Sequence, residues 1–546
     1  MAISGAESIS SDEGRSADRA IGRVIGATDG VVNRGTLEED VPGTWEALTA
    51  PRVVGGWWEV AVRGATGAAT DGGEGVGGPQ TSDEVGERNG IRTRRSKGGP
   101  CWCELPGGTM PDAWTSENMS PGLRKVADRA RREPGRKFHS LAHLIDVPGL
   151  ERAYRRLRKD AAVGVDGLTK EAYGQDLRQR LQDLHRRLKS RRWRHQPIRR
   201  VPIPKEQGKT RPIGISTIED KIVQDAVREV LETVYEQEFL ACSYGFRPGR
   251  SAHDALRALN RVAYRGEVNW ILEADLVSFF DSLGRTQLLE MLRTRVADGS
   301  LLRLVGKCLH VGVLDGEEYS EPDQGTTQGS VVSPLLGNVY LHYVLDLWFE
   351  REVKPRLRGK AVLLRYADDF VIGFERKDDA ERVMAVLPKR MGRYGLTLHA
   401  DKTRLLPFRR PMGTAGRGPA TFDFLGFTLY WRRTRSGRWQ MWCKTRRARL
   451  RRAIQSVAEY CRRHRHDPVK EQHAVLTRRL RGHFNYFGVN GNMRSLKNLV
   501  CATARIWHKW LRRRSQKTRL TWERHTLLLQ RLPLPEPRIT VQLWGT

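Results

Sequence analysis

The spacing of apolar and polar residues changes several times along this chain, and each change marks an element. Residues 1 to about 118 hold no lasting period and cluster glycines around 65–78. Such a segment buries too little to offset its ordering entropy and is expected to be mostly disordered. From Pro121 helical spacing takes over. Leu123–Ala130 reads as a short basic helix. Phe138–Leu144, the set Leu150, Ala153 and Leu157, and Glu171–Leu188 follow as further helical stretches. Ile198–Lys205 and Gly208–Ile215 form a β-hairpin pattern about a Gly-containing turn. Ser216–Phe239 predicts a long amphipathic helix with Ile222, Val223, Ala226, Val230, Leu231 and Val234 on one face.

Short apolar strands come next. Val268–Ala274 ends on Asp275; Ala361–Leu364 and Phe370–Phe374 bracket Arg365-Tyr366-Ala367-Asp368-Asp369; Phe422–Leu429 alternates like a strand pair. Between them Val331–Phe349 has the apolar content of a buried helix, and Pro334, Asn338, His342 and Asp346 keep it from reading as a membrane span. Ala380–Tyr394 is amphipathic. The chain then becomes basic and helical over Arg446–Arg463, Val475–Phe487 and Leu496–Arg514.

The aspartates at the strand ends carry the candidate chemistry. Desolvated carboxylates repel one another, so an acidic pair between apolar strands needs a positive partner. Asp368 and Asp369 alone could be a solvated turn. Asp275, ending a distant strand with similar surroundings, changes that reading. Three carboxylates from two adjacent strands could hold two Mg²⁺ ions ~3.5–4 Å apart, as in-line phosphoryl transfer uses.

Charge narrows the partners. Lys+Arg 95 against Asp+Glu 63 gives a net +32, and residues 1–90 carry only 7 basic against 15 acidic residues, leaving 88 against 48 in the rest. A surplus that large over the body of the chain points to a polyanion. The 7 cysteines are odd in number and mostly scattered, and Cys101-Trp102-Cys103 lacks the spacing of a zinc knuckle, so a zinc site or disulfide framework is not expected. Reduced thiols and the lack of a signal peptide suit a cytoplasmic protein.

Tyr366-Ala367-Asp368-Asp369 resembles the signature of reverse transcriptases. With Ser243–His253, Gln324–Pro334, Phe422–Leu429, Arg481–Gly488 and Trp507–Arg514, the text from about Phe138 to Trp522 resembles the bacterial group II intron reverse transcriptase/maturase family. The resemblance implies an α+β right-hand polymerase, with fingers and a palm built on an antiparallel sheet, followed by an all-α basic thumb/maturase domain. The implied divisions are an extension at 1–118, N-terminal extension and fingers at 119–265, palm at 266–435, thumb/maturase helices at 436–522 and a tail at 523–546. Met119 is then a natural start.

Asp275, Asp368 and Asp369 are implied as catalytic metal ligands for two Mg²⁺ ions. Lys205 and Arg211 would clamp the triphosphate, although Lys205 could as readily face template phosphates. Gln328 would contact the incoming base pair and Lys402 the triphosphate. Phe280 would pack under the sugar and select deoxyribose, or else be core beside Phe279. Arg446, Arg447, Arg481, Tyr486, Arg512 and Arg513 would face an A-form duplex or folded intron RNA, where backbone and shape contacts dominate, with Tyr486 stacking on bases or else lying in interhelix core. Thr327 stands where the family usually has proline. After Trp522 no Cys-pair or His-Asn-His pattern is visible, so no DNA endonuclease is expected there. The implied partners are an intron RNA template, a DNA primer or target and deoxynucleoside triphosphates, with no membrane. Two other readings stay open: a retron-like defence reverse transcriptase, and a non-catalytic RNA-binding splicing factor.

Overall fold

The structure is a computed structural model that describes residues 119–204, 210–315, 318–320, 324–326, 328–412, 420–517 and 519–544. The expectation for residues 1–118 therefore lies outside the described residues, as do Lys205 and Thr327.

Helices α1 (Pro121–Arg132), α2 (Val147–Arg156), α3 (Lys170–Gly174) and α4 (Leu177–Lys189) lead into the hairpin β1 (Ile198–Pro204) and β2 (Thr210–Ile215). The single helix expected over Glu171–Leu188 is thus two. Helix α5 (Ile218–Tyr235) follows, N-capped by the Thr217 hydroxyl. Its predicted apolar face is fully buried, but Asp220, Gln224, Asp225 and Glu232 are buried too, so the helix is enclosed on nearly all sides. Its polar face is satisfied internally: Asp225 pairs with Arg156 and Arg228 at 2.6 and 2.9 Å.

Helix α6 (Ala252–Tyr264) opens with a reciprocal Ser251–Asp254 capping box. Strand β3 (Trp270–Ala274), helices α7 (Arg285–Arg293) and α8 (Gly299–Leu309) and the short strands β4 (Val313–Asp315) and β5 (Glu318–Ser320) come next. One four-stranded sheet runs β2-β1-β4-β5. Helix α9 (Ser333–Leu341) continues through π-helical turns at His342–Asp346 and Phe349–Val353 to β6 (Ala361–Tyr366) and β7 (Asp369–Phe374). After α10 (Lys377–Gly392) and β8 (Arg404–Pro407), a second sheet is complete in the order β6-β7-β3-β8, antiparallel throughout.

A third sheet holds β9 (Phe422–Phe424), β10 (Phe427–Arg433) and β11 (Trp439–Thr445). The pattern predicted the first two of these strands but not β11. The basic helices α11 (Arg447–Arg463), α12 (Val469–Phe487) and α13 (Met493–Leu511) fall close to their expected spans. Beyond them α14 (Trp522–Arg531) forms, and the following segment returns to bridge Val541 to Val489 and bury Leu543. One large apolar core lies under the β6-β7-β3-β8 sheet against α1, α5, α7, α9 and α10. A second joins its other face to α6 and the β9–β11 sheet. The arrangement is the α+β architecture expected, with a helical basic region at its C-terminal side. No helix among the described residues is long and apolar enough to cross a membrane.

Candidate active site

Register brings the three aspartates to one place. Ala274 pairs with Phe370 across β3 and β7, so Asp275 and Asp369, each one step further, stand opposite at the same end of the sheet. Side chains opposite one another on antiparallel strands lie roughly 5 Å apart at Cβ. Asp368 occupies the two-residue turn closed by the Tyr366–Asp369 pair. Burial first, then the charges of Asp275 and Asp368, push the Asp369 carboxyl up to about 7, while the Leu425 N–H pulls the other way. The site therefore has a deficit of positive charge.

Lys402 answers part of it. Its ammonium is hydrogen-bonded to Asp275 Oδ2, and the His399 N–H donates to the Asp275 carbonyl at 2.8 Å. Lys402 was expected near a triphosphate, and here it stands on a candidate metal ligand. Among the described residues no three carboxylate, imidazole or thiol groups enclose an ion in this conformation. The donor set still fits hard divalent cations, because the residues are all oxygen donors and burial, with their mutual repulsion, raises the Asp369 proton affinity.

The turn itself is held from below. Ala367 takes a positive φ of 57°, which a residue with a Cβ adopts at a cost. The segment Cys242–Gly245 runs beside β6: Arg365 N–H donates to the Cys242 carbonyl at 2.8 Å, and Tyr244 N–H donates to the Arg365 carbonyl at 2.9 Å. Gly245 lies so close that a Cβ there would sit 2.4 Å from the Ala367 nitrogen. The Arg365 side chain is fully buried and bidentate to Asp346. Arg365, Asp346, Asn338 and Gly245 were not singled out as site residues. The sequence signal was slight, since Asn338 and Asp346 stand with Pro334 and His342 as interruptions in a mostly apolar helix.

The Gly-rich loop joins this site to the β1–β2 hairpin. Gly214 N–H of β2 donates to the Gln328 carbonyl at 2.7 Å, and a Cβ on Gly329 would meet the Gly214 oxygen at 2.4 Å. Thr326 N–H donates to the Phe280 carbonyl at 2.7 Å, so the loop also reaches the segment following Asp275. Phe280 is half-buried with an edge contact to Phe279 at 5.1 Å between ring centres. Arg211 pairs with Ile203 by its backbone. The arginine candidates divide. Arg447, Arg481, Arg512 and Arg513 are exposed. Arg446 is paired with Asp423 at 2.9 Å, and the Tyr486 hydroxyl donates to the Leu425 carbonyl at 2.9 Å.

Aspartates gathered at one end of an antiparallel sheet, with a basic hairpin tied in through a glycine loop, give the layout of a right-hand nucleic-acid polymerase. Residues 203–429 match the reverse transcriptase (RNA-dependent DNA polymerase) family, which makes this region a reverse transcriptase domain. The chain is 34% identical over 356 residues to Protein YkfC of Escherichia coli K12, covering 58% of this chain and 90% of that protein. It is 34% identical over 212 residues to the group II intron-encoded protein LtrA of Lactococcus lactis subsp. cremoris, covering 38% of this chain and 35% of LtrA. An uncharacterized 91 kDa protein in the cob intron of Schizosaccharomyces pombe is 36% identical over 198 residues, 36% of this chain and 24% of that protein. The chain belongs to the group II intron reverse transcriptase/maturase family.

Proposed function

We propose that this protein is an RNA-directed DNA polymerase that copies intron RNA from a DNA primer and also binds that RNA to assist splicing and mobility. The observation that carries the reading is Asp275 standing opposite Asp369 across β3 and β7, with Asp368 on the adjoining turn. Asp275, Asp368 and Asp369 are the residues that would hold two Mg²⁺ ions. Bound there, the ions supply a lowered pKa at the attacking 3′-hydroxyl and neutralisation at the leaving pyrophosphate.

The chain's own residues do the rest by placement. The loop carrying Gln328 is braced on β2 by the Gly214 N–H. From that loop Gln328 orients the incoming base pair. Lys205 and Arg211 bind the triphosphate, with Lys402 contributing a third cation. Phe280 packs under the sugar and excludes a 2′-hydroxyl. Exposed arginines of α11 to α13 contact RNA phosphates, which suits a protein with 95 Lys+Arg acting in the cytoplasm.

Primer extension on an RNA template with Mg²⁺ tests this reading. Wild-type protein is expected to extend the primer with deoxynucleotides, and Asp368→Ala to fall to background while still binding RNA. A protein that binds RNA and extends with neither form is a splicing factor on a polymerase scaffold.

A further inference from the structure

Arg365 is a fully buried guanidinium with every N–H donor placed. Nε donates to Asp346 Oδ1 at 2.7 Å and Nη2 to Asp346 Oδ2 at 2.6 Å. Nη2 also donates to the Ser243 hydroxyl at 2.8 Å. Nη1 donates to Asn338 Oδ1 at 2.9 Å and to the Ala367 carbonyl at 3.1 Å. A guanidinium has five N–H groups, and these five bonds use all of them. Asn338 completes a loop of contacts, because its amide donates to the Gly245 carbonyl at 2.7 Å. Gly245 in turn abuts Ala367 and Tyr366.

A buried ion pair is weak evidence of stabilisation, since desolvating both charges offsets their attraction, and well-packed apolar residues often replace such a pair without loss. The feature that an apolar pair could not reproduce is the bond to Ala367. That carbonyl belongs to the peptide plane whose nitrogen is Asp368. Fixing its direction fixes the orientation from which the Asp368 side chain departs. The residue so held has a positive φ of 57°, a conformation that needs outside support.

We propose that Arg365 is a positioning residue for metal binding: through the Ala367 carbonyl, and with Asp346 and Asn338 as its supports, it sets the Asp368 carboxylate for the catalytic ions. The inference rests on the reading of Asp368 as a metal ligand. Ligands whose supports are removed commonly lose about 10–100-fold in metal affinity.

The test compares wild type, Arg365→Lys and the double variant Arg365→Met/Asp346→Leu. Arg365→Lys keeps a charge for Asp346, but three donors on one nitrogen cannot span Asp346, Asn338, Ser243 and the Ala367 carbonyl together. The double variant removes the buried charges together. Thermal unfolding reports the fold, electron paramagnetic resonance of Mn²⁺ reports metal affinity, and extension kinetics separate kcat from the KM for primer–template. Expected in both variants are a folded protein, an unchanged KM, Mn²⁺ affinity lower by about 10-fold and kcat lower by on the order of 10²-fold. Variants that fold and keep wild-type Mn²⁺ affinity and kcat overturn the proposal. If the double variant does not fold, Arg365→Lys decides alone, and its failure to fold as well assigns the pair to stability and overturns the proposal. Wild-type protein that neither binds Mn²⁺ nor extends a primer would instead sink the polymerase reading, so the two failures are distinguishable.

Discussion

The Lys402 ammonium is hydrogen-bonded to Asp275 Oδ2, a cation standing on the carboxylate that a divalent ion would need. Asp275 keeps about a quarter of its side-chain surface exposed and Lys402 about half, with side-chain values of 28% and 54%. A pair that open to solvent is worth up to about 1 kcal/mol, a factor of roughly five in an equilibrium. Lys402→Ala therefore frees Asp275, and the Mg²⁺ concentration giving half-maximal extension is expected to fall up to about fivefold. Lys402 is also proposed as a triphosphate contact, and in that role its loss is expected to raise the KM for deoxynucleotide by about tenfold, for one lost charge-assisted contact. Opposite movement of the two constants, read from Mg²⁺ and nucleotide titrations, is the signature. A Lys402 that serves neither partner would leave both unmoved.

Gly245 has no room for a side chain. A Cβ would lie 2.4 Å from the Ala367 nitrogen and 2.9 Å from the Tyr366 carbonyl carbon, and these are backbone atoms of the turn that carries Asp368. Gly245→Ala is expected to displace that turn, with a loss of about 1–3 kcal/mol in stability and on the order of 10²-fold in kcat. Gly306 in α8 is the control, since nothing lies within 4 Å of a Cβ there. Gly306→Ala should be neutral or stabilising by about 0.4–1 kcal/mol. Denaturant melts and extension rates on the two variants check both outcomes.

The Asp369 carboxyl is pushed up to about 7 by burial and by Asp275 and Asp368, against about 3.9 for an aspartate in an unfolded chain. Because the folded value is the higher one, folding favours the protonated form. The stability this group contributes is complete below about pH 4 and is lost as pH rises through about 7. Asp220 and Glu232 are also pushed up to about 7, so the raw pH profile of stability is not specific to Asp369. The informative quantity is the difference from Asp369→Asn. In metal-free protein the variant is expected to be matched to wild type near pH 4 and to gain about 2 °C in Tm on it at pH 8. Added Mg²⁺, which needs the ionised carboxylate, should stabilise wild type more at pH 8 than at pH 5 and leave the variant nearly unchanged.

Much of this site was legible because its residues end apolar strands. Asp275, Asp368 and Asp369 stand out as charges where the period-two pattern stops, and the strand register then follows from which faces are buried. Arg365 was not legible as a support, because a buried arginine and an exposed one look alike until its partners are known. Its partners are Asn338 and Asp346, 27 and 19 residues away, in a helix where they read only as interruptions. Strand β11 was missed because Trp439–Thr445 mixes polar and apolar residues without strict alternation. Its pairing with β10 depends on a partner strand, not on local preference. The return of the last segment onto Val489 is likewise a long-range contact with no local sign.

Tyr486 tests where the RNA-facing surface begins. It was expected to contact RNA, yet its hydroxyl donates to the Leu425 carbonyl at 2.9 Å and its ring stacks on Phe427 with centres 5.7 Å apart. Leu425 and Gly426 both have positive φ, the backbone of a tight hairpin turn between β9 and β10, and the Leu425 N–H bears on the Asp369 carboxyl. The α12 helix is thus tied through one hydroxyl to the turn that touches Asp369. A base-stacking role needs only the ring, so Tyr486→Phe would then be silent. A bracing role needs the hydroxyl, and its loss costs about 1 kcal/mol for a neutral hydrogen bond. Tyr486→Phe is accordingly expected to keep RNA affinity within about twofold while lowering kcat by about five- to tenfold, the factor that 1 to 1.4 kcal/mol represents. Filter-binding with a structured RNA and single-turnover extension on the same preparation separate the two roles. A silent Tyr486→Phe, with RNA binding weakened only in Tyr486→Ala, would return Tyr486 to the RNA surface.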